Sequence, residues 1–260
     1  MKVLILGVNG MLGPHALRVL SGRYDLRLTD IAEPHGVFHH TTGFVADEDQ
    51  KKHEFKTVDV SDPEQVMEAA AGMDAIVNLS VLRDDRKISF DVNTRGSRNI
   101  MEAAVHHGIR RVVSSGAHFT VQGHDYERFD FNITPDVPSH PGLGMYPFTK
   151  ALGFELSRVY TENHDLHLLW FLFYNFFDPD DQMAEYAPFS VAWSDAAEAI
   201  RCALEVDLES LPSRCEAFNI FTDMPHQKFS NEKTKRLLGW KPQHSLEHFW
   251  RRPREAGSAG

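Results

Sequence analysis

Near its amino terminus the chain reads Val3-Leu4-Ile5-Leu6-Gly7-Val8-Asn9-Gly10-Met11-Leu12-Gly13-Pro14-His15-Ala16-Leu17. The short apolar run suits a strand buried on both faces, and proline directly after the last glycine suits the first turn of a helix. Between them the glycines make a turn in which backbone amides and the positive end of the helix can meet a pyrophosphate. Strand, glycine turn and helix in this order commit the chain to open with a nucleotide-binding βα unit. Cofactor contacts are therefore expected from Gly7, Asn9, Gly10, Met11, Leu12 and Gly13.

The next segment indicates which dinucleotide. Leu26-Arg27-Leu28-Thr29-Asp30 alternates as a second strand and ends in a carboxylate. A carboxylate there accepts hydrogen bonds from the adenine ribose hydroxyls and repels a 2′-phosphate, which favours NAD over NADP and brings Asp30 and Ile31 to the ribose. Thr57-Val58-Asp59-Val60 reads as a third strand ending near the adenine. Asp59 either bonds the base amine or is the turn residue before a helix start at Ser61-Asp62-Pro63.

Strands and helices continue to alternate, with strands at Ala75 to Leu79 and Arg111 to Ser115 and a helix from Val92 to Ala104 stopped by Gly108. This predicts an α/β chain with a doubly wound parallel sheet of the Rossmann type, ligands lying at the carboxyl ends of the strands. Leu79, Ser80 and Val81 then fall beside the nicotinamide half of the cofactor, and Ser114 and Ser115 beside a substrate. Tyr146 and Lys150 stand four apart in the next helix and so share a face. An ammonium held there lowers the phenol's pKa from its usual value near 10, making it a proton acceptor at cellular pH.

The net charge of −10 argues against a nucleic-acid partner. The first strand follows Met1 almost at once, so neither a leader peptide nor a membrane span is expected, and a cytoplasmic location is. Cys202 and Cys215 lack metal-ligand spacing and read as thiols. Fifteen histidines, with His35, His39, His40 and His53 close together, read as loop residues over the adenine end and not as a metal site. No metal is expected.

Gly7-x-x-Gly10-x-x-Gly13, Asp30, Asp59-Val60, Asn93 within Asp91-Val-Asn-Thr-Arg-Gly, Ser114-Ser115 and Tyr146-x-x-x-Lys150 resemble, in order, the extended short-chain dehydrogenases/reductases, or NAD-dependent epimerase/dehydratase family. Pro135-Asp-Val-Pro138, Trp193-Ser-Asp195 and Leu238-Gly-Trp-Lys-Pro242 are most similar to its uronate dehydrogenase-like members. The resemblance implies an NAD-binding domain over residues 1–168 that includes the Tyr146 helix and a small substrate lobe over 169–252 interleaved with it; by composition, residues 253–260 are expected to be a disordered tail. It also implies that Tyr146 takes the substrate proton, Lys150 holds the phenol and the nicotinamide ribose, Ser115 bonds the reacting oxygen and Asn93 orders the site. His118 and Asn175 would join Ser115 and Tyr146 against the substrate, with Ser114 the alternative serine. The expected partner is a small sugar-like molecule, and the expected assembly is a homodimer.

The chain departs from that pattern in one respect that bears on the substrate. A carboxylate substrate calls for an arginine, yet none occurs between Arg158 and Arg201. Tyr174, Phe176, Phe177, Tyr186 and Phe189 stand there instead, either as a stacking surface for neutral sugars or as the core of the lobe. The reading is thus an NAD-dependent oxidoreductase of a small sugar or polyol. A sugar epimerase or dehydratase with bound NAD and a non-catalytic NAD(P) sensor are its alternatives.

Overall fold

The computed structural model describes residues 1–32, 51–83, 85–118, 132–180, 189–224 and 228–246. His35, His39, His40, Tyr186 and the tail over 253–260 lie outside these residues. Strands β1 (Lys2–Leu6), β2 (Asp25–Asp30), β3 (Glu54–Thr57), β4 (Ala75–Asn78), β5 (Arg111–Ala117), β6 (His167–Phe173) and β9 (Cys215–Asn219) form one sheet in the order β3-β2-β1-β4-β5-β6-β9. Every pairing in it is parallel. The order reverses between β1 and β4, and the crevice at that switch point is where a doubly wound sheet binds its ligand. This is a Rossmann-type α/β fold.

Side chains on successive strand residues point to opposite faces, and two apolar clusters result. One joins Val3, Ile5, Val77, Val113, Leu169 and Phe171 to helices α1 (Gly13–Leu20) and α6 (Trp193–Glu205). The other joins Leu4, Ile76, Val112, Leu168 and Trp170 to α2 (Pro63–Ala70), α4 (Gly96–His107) and Phe154 of α5 (Met145–Asn163). Each large apolar chain buried this way contributes roughly 1.5–3 kcal/mol.

Local chemistry sets the element ends. Asp62 caps α2 by accepting from the amides of Glu64 and Gln65, with Pro63 in the first turn. Gly108 ends α4 in the left-handed region at φ 67°. The third strand lies earlier than the expected 57–60, because β2 ends at Asp30, which pairs with Thr57. Past that point Asp59 accepts from the amide of Ser61 and turns the chain toward α2. The expected helix from Val92 begins instead at Arg86, where Asp85 caps α3 (Arg86–Phe90), and passes through a π-helical turn at Asp91–Arg95 before α4.

Beyond β6 the chain adds a two-stranded parallel sheet, β7 (Asn175–Phe177) with β8 (Ser190–Ala192). Helix α7 (Glu232–Leu238) follows β9 and ends at Gly239. The Trp240 indole then donates to the carbonyl of Asp195, whose carboxylate accepts from the amides of Gln243 and His244. Among the described residues no helix is long and apolar enough to cross a membrane.

Candidate active site

The glycine turn is held from β2. The amides of Gly7 and Val8 donate to the carbonyl of Thr29, and that of Asn9 donates to a carboxylate oxygen of Asp30 at 2.8 Å. Gly7 has φ 81°, and a Cβ there would lie 2.7 Å from the Ser80 amide nitrogen, so the turn requires glycine. A Cβ on Gly13 would lie 1.9 Å from the Val8 carbonyl oxygen, so α1 can start this close to β1 only without a side chain. The amides of Gly10 and Gly13 close turns onto Gly7 and Gly10. Among the described residues no protein acceptor takes the amides of Met11 and Leu12, which sit at the start of α1.

These features fit a dinucleotide: two amides remain at a helix start for a pyrophosphate, and Asn9 Oδ1 is a buried acceptor with no donor among the described residues. Asp30 also accepts from the amide of Ile31 at 2.8 Å. Burial pushes its carboxyl above the usual range, and the hydrogen bonds from Asn9 and Ile31 oppose that.

At the carboxyl ends of β4 and β5 the site is held by Asn93 and Lys150. Asn93, 1% exposed on the π-helical turn, grips Leu82 at both its amide and its carbonyl and also donates to Thr149 Oγ1 at 3.0 Å. Asn93 thus ties the segment after β4 to α5. A Cβ on Gly153 would lie 2.4 Å from the Asn93 carbonyl oxygen, so α5 meets the turn at backbone contact. Lys150 Nζ donates to the carbonyls of Ser80 at 3.1 Å and Ser115 at 3.0 Å. Burial, with the charge of Arg83 adding to it, lowers its pKa to about 7.

Tyr146 stands in the first turn of α5, one turn before Lys150. Here the electrostatics differ from the sequence expectation. Burial raises the phenol's pKa, and the opposing cation is the Arg83 guanidinium, whose central carbon lies 5.2 Å from the ring centroid. Lys150 spends two of its three donors on carbonyls. Arg83 was missed because its approach depends on how the Leu79–Arg83 segment is folded, although it directly follows the residues expected near the nicotinamide.

The two serines are separated by strand alternation. Ser114 lies on the Val112 side, which α5 covers, and its Oγ accepts from Asn78 Nδ2 at 3.1 Å. Ser115 lies on the Val113 side, toward α1 and α6, and meets Lys150 through its carbonyl. Strand alternation turns its side chain away from the face that α5 covers. The β5 position on the Tyr146 side is Gly116, where a Cβ would lie 2.0 Å from Trp170 Nε1.

Of the remaining expected residues, His118 directly follows β5 and Asn175 opens β7. His118 is 4% exposed and packs against Tyr174, Phe189 and Phe229. Asn175 donates to Ser190 Oγ at 3.0 Å, linking β7 to β8. Phe176 stacks on Trp193 at 4.1 Å and packs against the cluster on one face of the main sheet, Phe189 is buried in the cluster on the other, and Phe177 is buried beside Leu246, while Tyr174 stays exposed. Asp59 and Val60 follow β3, and Leu79, Ser80 and Val81 follow β4, all beyond carboxyl ends of the sheet.

Both cysteines are free thiols with pKa raised by burial, Cys215 to about 12. The His53 ring meets Ser21 Oγ at 2.7 Å, and among the described residues no three His, Cys, Asp or Glu side chains gather as metal ligands. A separate cavity of about 410 Å³ lined by Pro135, Glu216, Lys233 and Arg236 among others shares no residue with the site, and its Lys233 already pairs with Asp136 and Glu216.

Known proteins agree with this architecture. An NAD-dependent glucose-6-phosphate dehydrogenase of Haloferax volcanii is 24% identical, covering 95% of each chain. A uronate dehydrogenase of Agrobacterium fabrum is 32% identical over 104 residues, 39% of this chain and 38% of that one. The crystal structure of uronate dehydrogenase from Agrobacterium tumefaciens superposes with a TM-score of 0.73 at 21% identity, covering 98% of this chain and 91% of the other. A UDP-glucose 4-epimerase of Thermotoga maritima gives 0.73 at 16% identity over 95% of each chain. The profile of the NAD dependent epimerase/dehydratase family matches residues 3–209, and the chain belongs to that family, with NAD as its cofactor.

Proposed function

We propose that the protein transfers a hydride between NAD and a hydroxyl or carbonyl of a small sugar or polyol, with Tyr146 as the group that takes or returns the substrate proton. The observation that carries this reading is Tyr146 one helical turn from Lys150, which is itself anchored to the carbonyls of Ser80 and Ser115 where β4 and β5 end. When bound, NAD supplies the hydride acceptor, and the protein supplies alignment.

The cradle from Gly7 to Gly13 with Asp30 would hold the adenine half, and Leu79, Ser80 and Val81 would border the nicotinamide. Lys150 would exchange a carbonyl for the nicotinamide ribose. Asn93 keeps the segment after β4 in register with α5, so the distance from that segment to Tyr146 is set before substrate arrives. Arg83 offsets part of the burial effect on the phenol and puts a cation beside it.

That cation alters the substrate class drawn from the arginine-free stretch. The full-length relative is named for glucose 6-phosphate and the partial one for uronates. Phosphorylated and acidic sugars therefore stand with neutral sugars as substrates in this reading. Exposed Ile88 and Phe90 of α3 and Phe148 and Val159 of α5 support a homodimer built on these helices, and the two thiols support a cytoplasmic setting.

The test is NADH formation at neutral pH with D-glucose, D-galactose, D-glucuronate, D-galacturonate and D-glucose 6-phosphate. Turnover of at least one sugar, with NAD preferred over NADP, is expected; silence with all five contradicts the reading.

A further inference from the structure

On the side of the sheet that α5 covers, β5 presents no side chain at its carboxyl end. A Cβ on Gly116 would lie 2.0 Å from Nε1 of Trp170 and 2.5 Å from its Cε2. The indole of β6 thus fills the volume in which a side chain of β5 would reach toward the Tyr146 helix. Trp170 pairs with Ser114 across the sheet, is 1% exposed, and packs on Phe154 of α5 with ring centroids 5.3 Å apart. Lys150 Nζ lies 6.0 Å from its ring centroid.

The Nε1–H of this ring has no acceptor among the described residues. A buried donor without a partner is destabilising, and folded proteins leave few of them. Leucine or phenylalanine would fill the same apolar space without that penalty. The indole instead takes the space of a strand side chain and sets an unpaired donor against Gly116, on a ring whose centroid lies 6.0 Å from the buried Lys150 ammonium.

We propose that the Trp170 indole N–H, standing where a β5 hydroxyl would project, donates a hydrogen bond to the reacting oxygen of the sugar. The proposal rests on the Tyr146 reading above and assigns Trp170 the role first expected of Ser115. A donor fixed by packing costs little reorganisation as charge develops on that oxygen.

The test takes the full-length protein with NAD and the five sugars named above. Trp170→Phe keeps a ring and removes the donor. With any sugar that the parent enzyme oxidises, it should lower kcat roughly a hundredfold while the Kd for NAD stays near the parent's. Trp170→Leu combined with Gly116→Ser vacates the indole's space and supplies a hydroxyl, and should recover at least tenfold over Trp170→Leu alone. A Trp170→Phe enzyme with the parent's kcat overturns the proposal and leaves the role of Tyr146 standing.

A parent enzyme silent on all five sugars defeats the reading of the reaction instead. The indole proton still answers in that event, and also if Trp170→Phe fails to fold. In 15N-indole-labelled protein saturated with NAD, a downfield shift of the Trp170 resonance on adding a sugar upholds the donor. A resonance unmoved by all five overturns it.

Discussion

Burial acts on Tyr146 and Lys150 in opposite senses, whereas the charge of Arg83 lowers both. Burial raises the phenol, and Arg83 pulls it partway back; burial and Arg83 together lower the lysine to about 7. Arg83→Met should therefore raise the phenol further and move the rise of sugar-oxidation kcat/KM to higher pH, with roughly tenfold less activity at pH 7 if about 1.4 kcal/mol of stabilisation is lost. An unmoved profile contradicts the role given to Arg83. Because the folded pKa of Lys150 lies below its ordinary 10.5, the folded state binds fewer protons between about pH 7 and 10.5, and this group makes stability rise with pH across that window. Lys150→Met should be more stable than the parent in urea at pH 6.5, and the difference should shrink toward pH 9.5; a constant difference contradicts the buried ammonium. The spacing of Tyr146 and Lys150 is legible in the sequence because it is a helical period. Arg83 and Trp170 are not, because their approach to the site depends on a loop fold and on which face of β6 meets α5.

The π-helical turn at Asp91–Arg95 and the start of α5 form one joint, with Asn93 bonded to Leu82 and Thr149, and Thr94 Oγ1 to the Thr149 carbonyl. Asn93→Ala removes three hydrogen bonds of a buried side chain and should cost about 2–3 kcal/mol of stability, read as a lower urea midpoint with an unchanged slope. A loss under about 0.5 kcal/mol would show that the joint holds without it. Elements with a clear period or obligatory glycines were readable: β1, the glycine turn, α1 and the end of α4 at Gly108 follow the expected pattern. The displaced elements are those whose limits depend on partners. Strand β3 stops where β2 stops, at the Asp30–Thr57 pair, and no periodicity in residues 57–60 could reveal that. The register of the β5 serines likewise turns on which face α5 covers, a tertiary fact, so Ser115 was expected where Gly116 faces the helix.

Across the whole molecule, the first helix is tied to the C-terminal segments by aromatic packing. His15 of α1 stacks on Trp193 at 5.4 Å, Trp193 on Phe176 at 4.1 Å, and Phe176 meets Phe173 at 5.1 Å. Burial, with Arg18 adding to it, lowers the His15 pKa from 6.5 to about 4. The folded state then resists a proton that the unfolded chain accepts, so stability is lost as pH falls from about 6.5 toward 4, by no more than roughly 3 kcal/mol from this group. His15→Phe, which can keep the stack, should lose less stability than the parent between pH 6.5 and 4.5 in thermal melts; equal losses would remove His15 as a cause. The stack explains why the aromatics of the C-terminal segment are core and leave Tyr174 exposed. The dinucleotide cradle, the Asn93 joint and the Lys150 anchor all converge on Tyr146. The most direct measurement is therefore Tyr146→Phe, assayed for NADH formation with an active sugar and for NAD binding by calorimetry. Turnover at least about a thousandfold lower, as loss of a general acid–base allows, with a Kd for NAD within a few-fold of the parent's is the predicted result. Parental turnover, or an equal loss of binding and turnover, would contradict Tyr146 as the proton-transfer group.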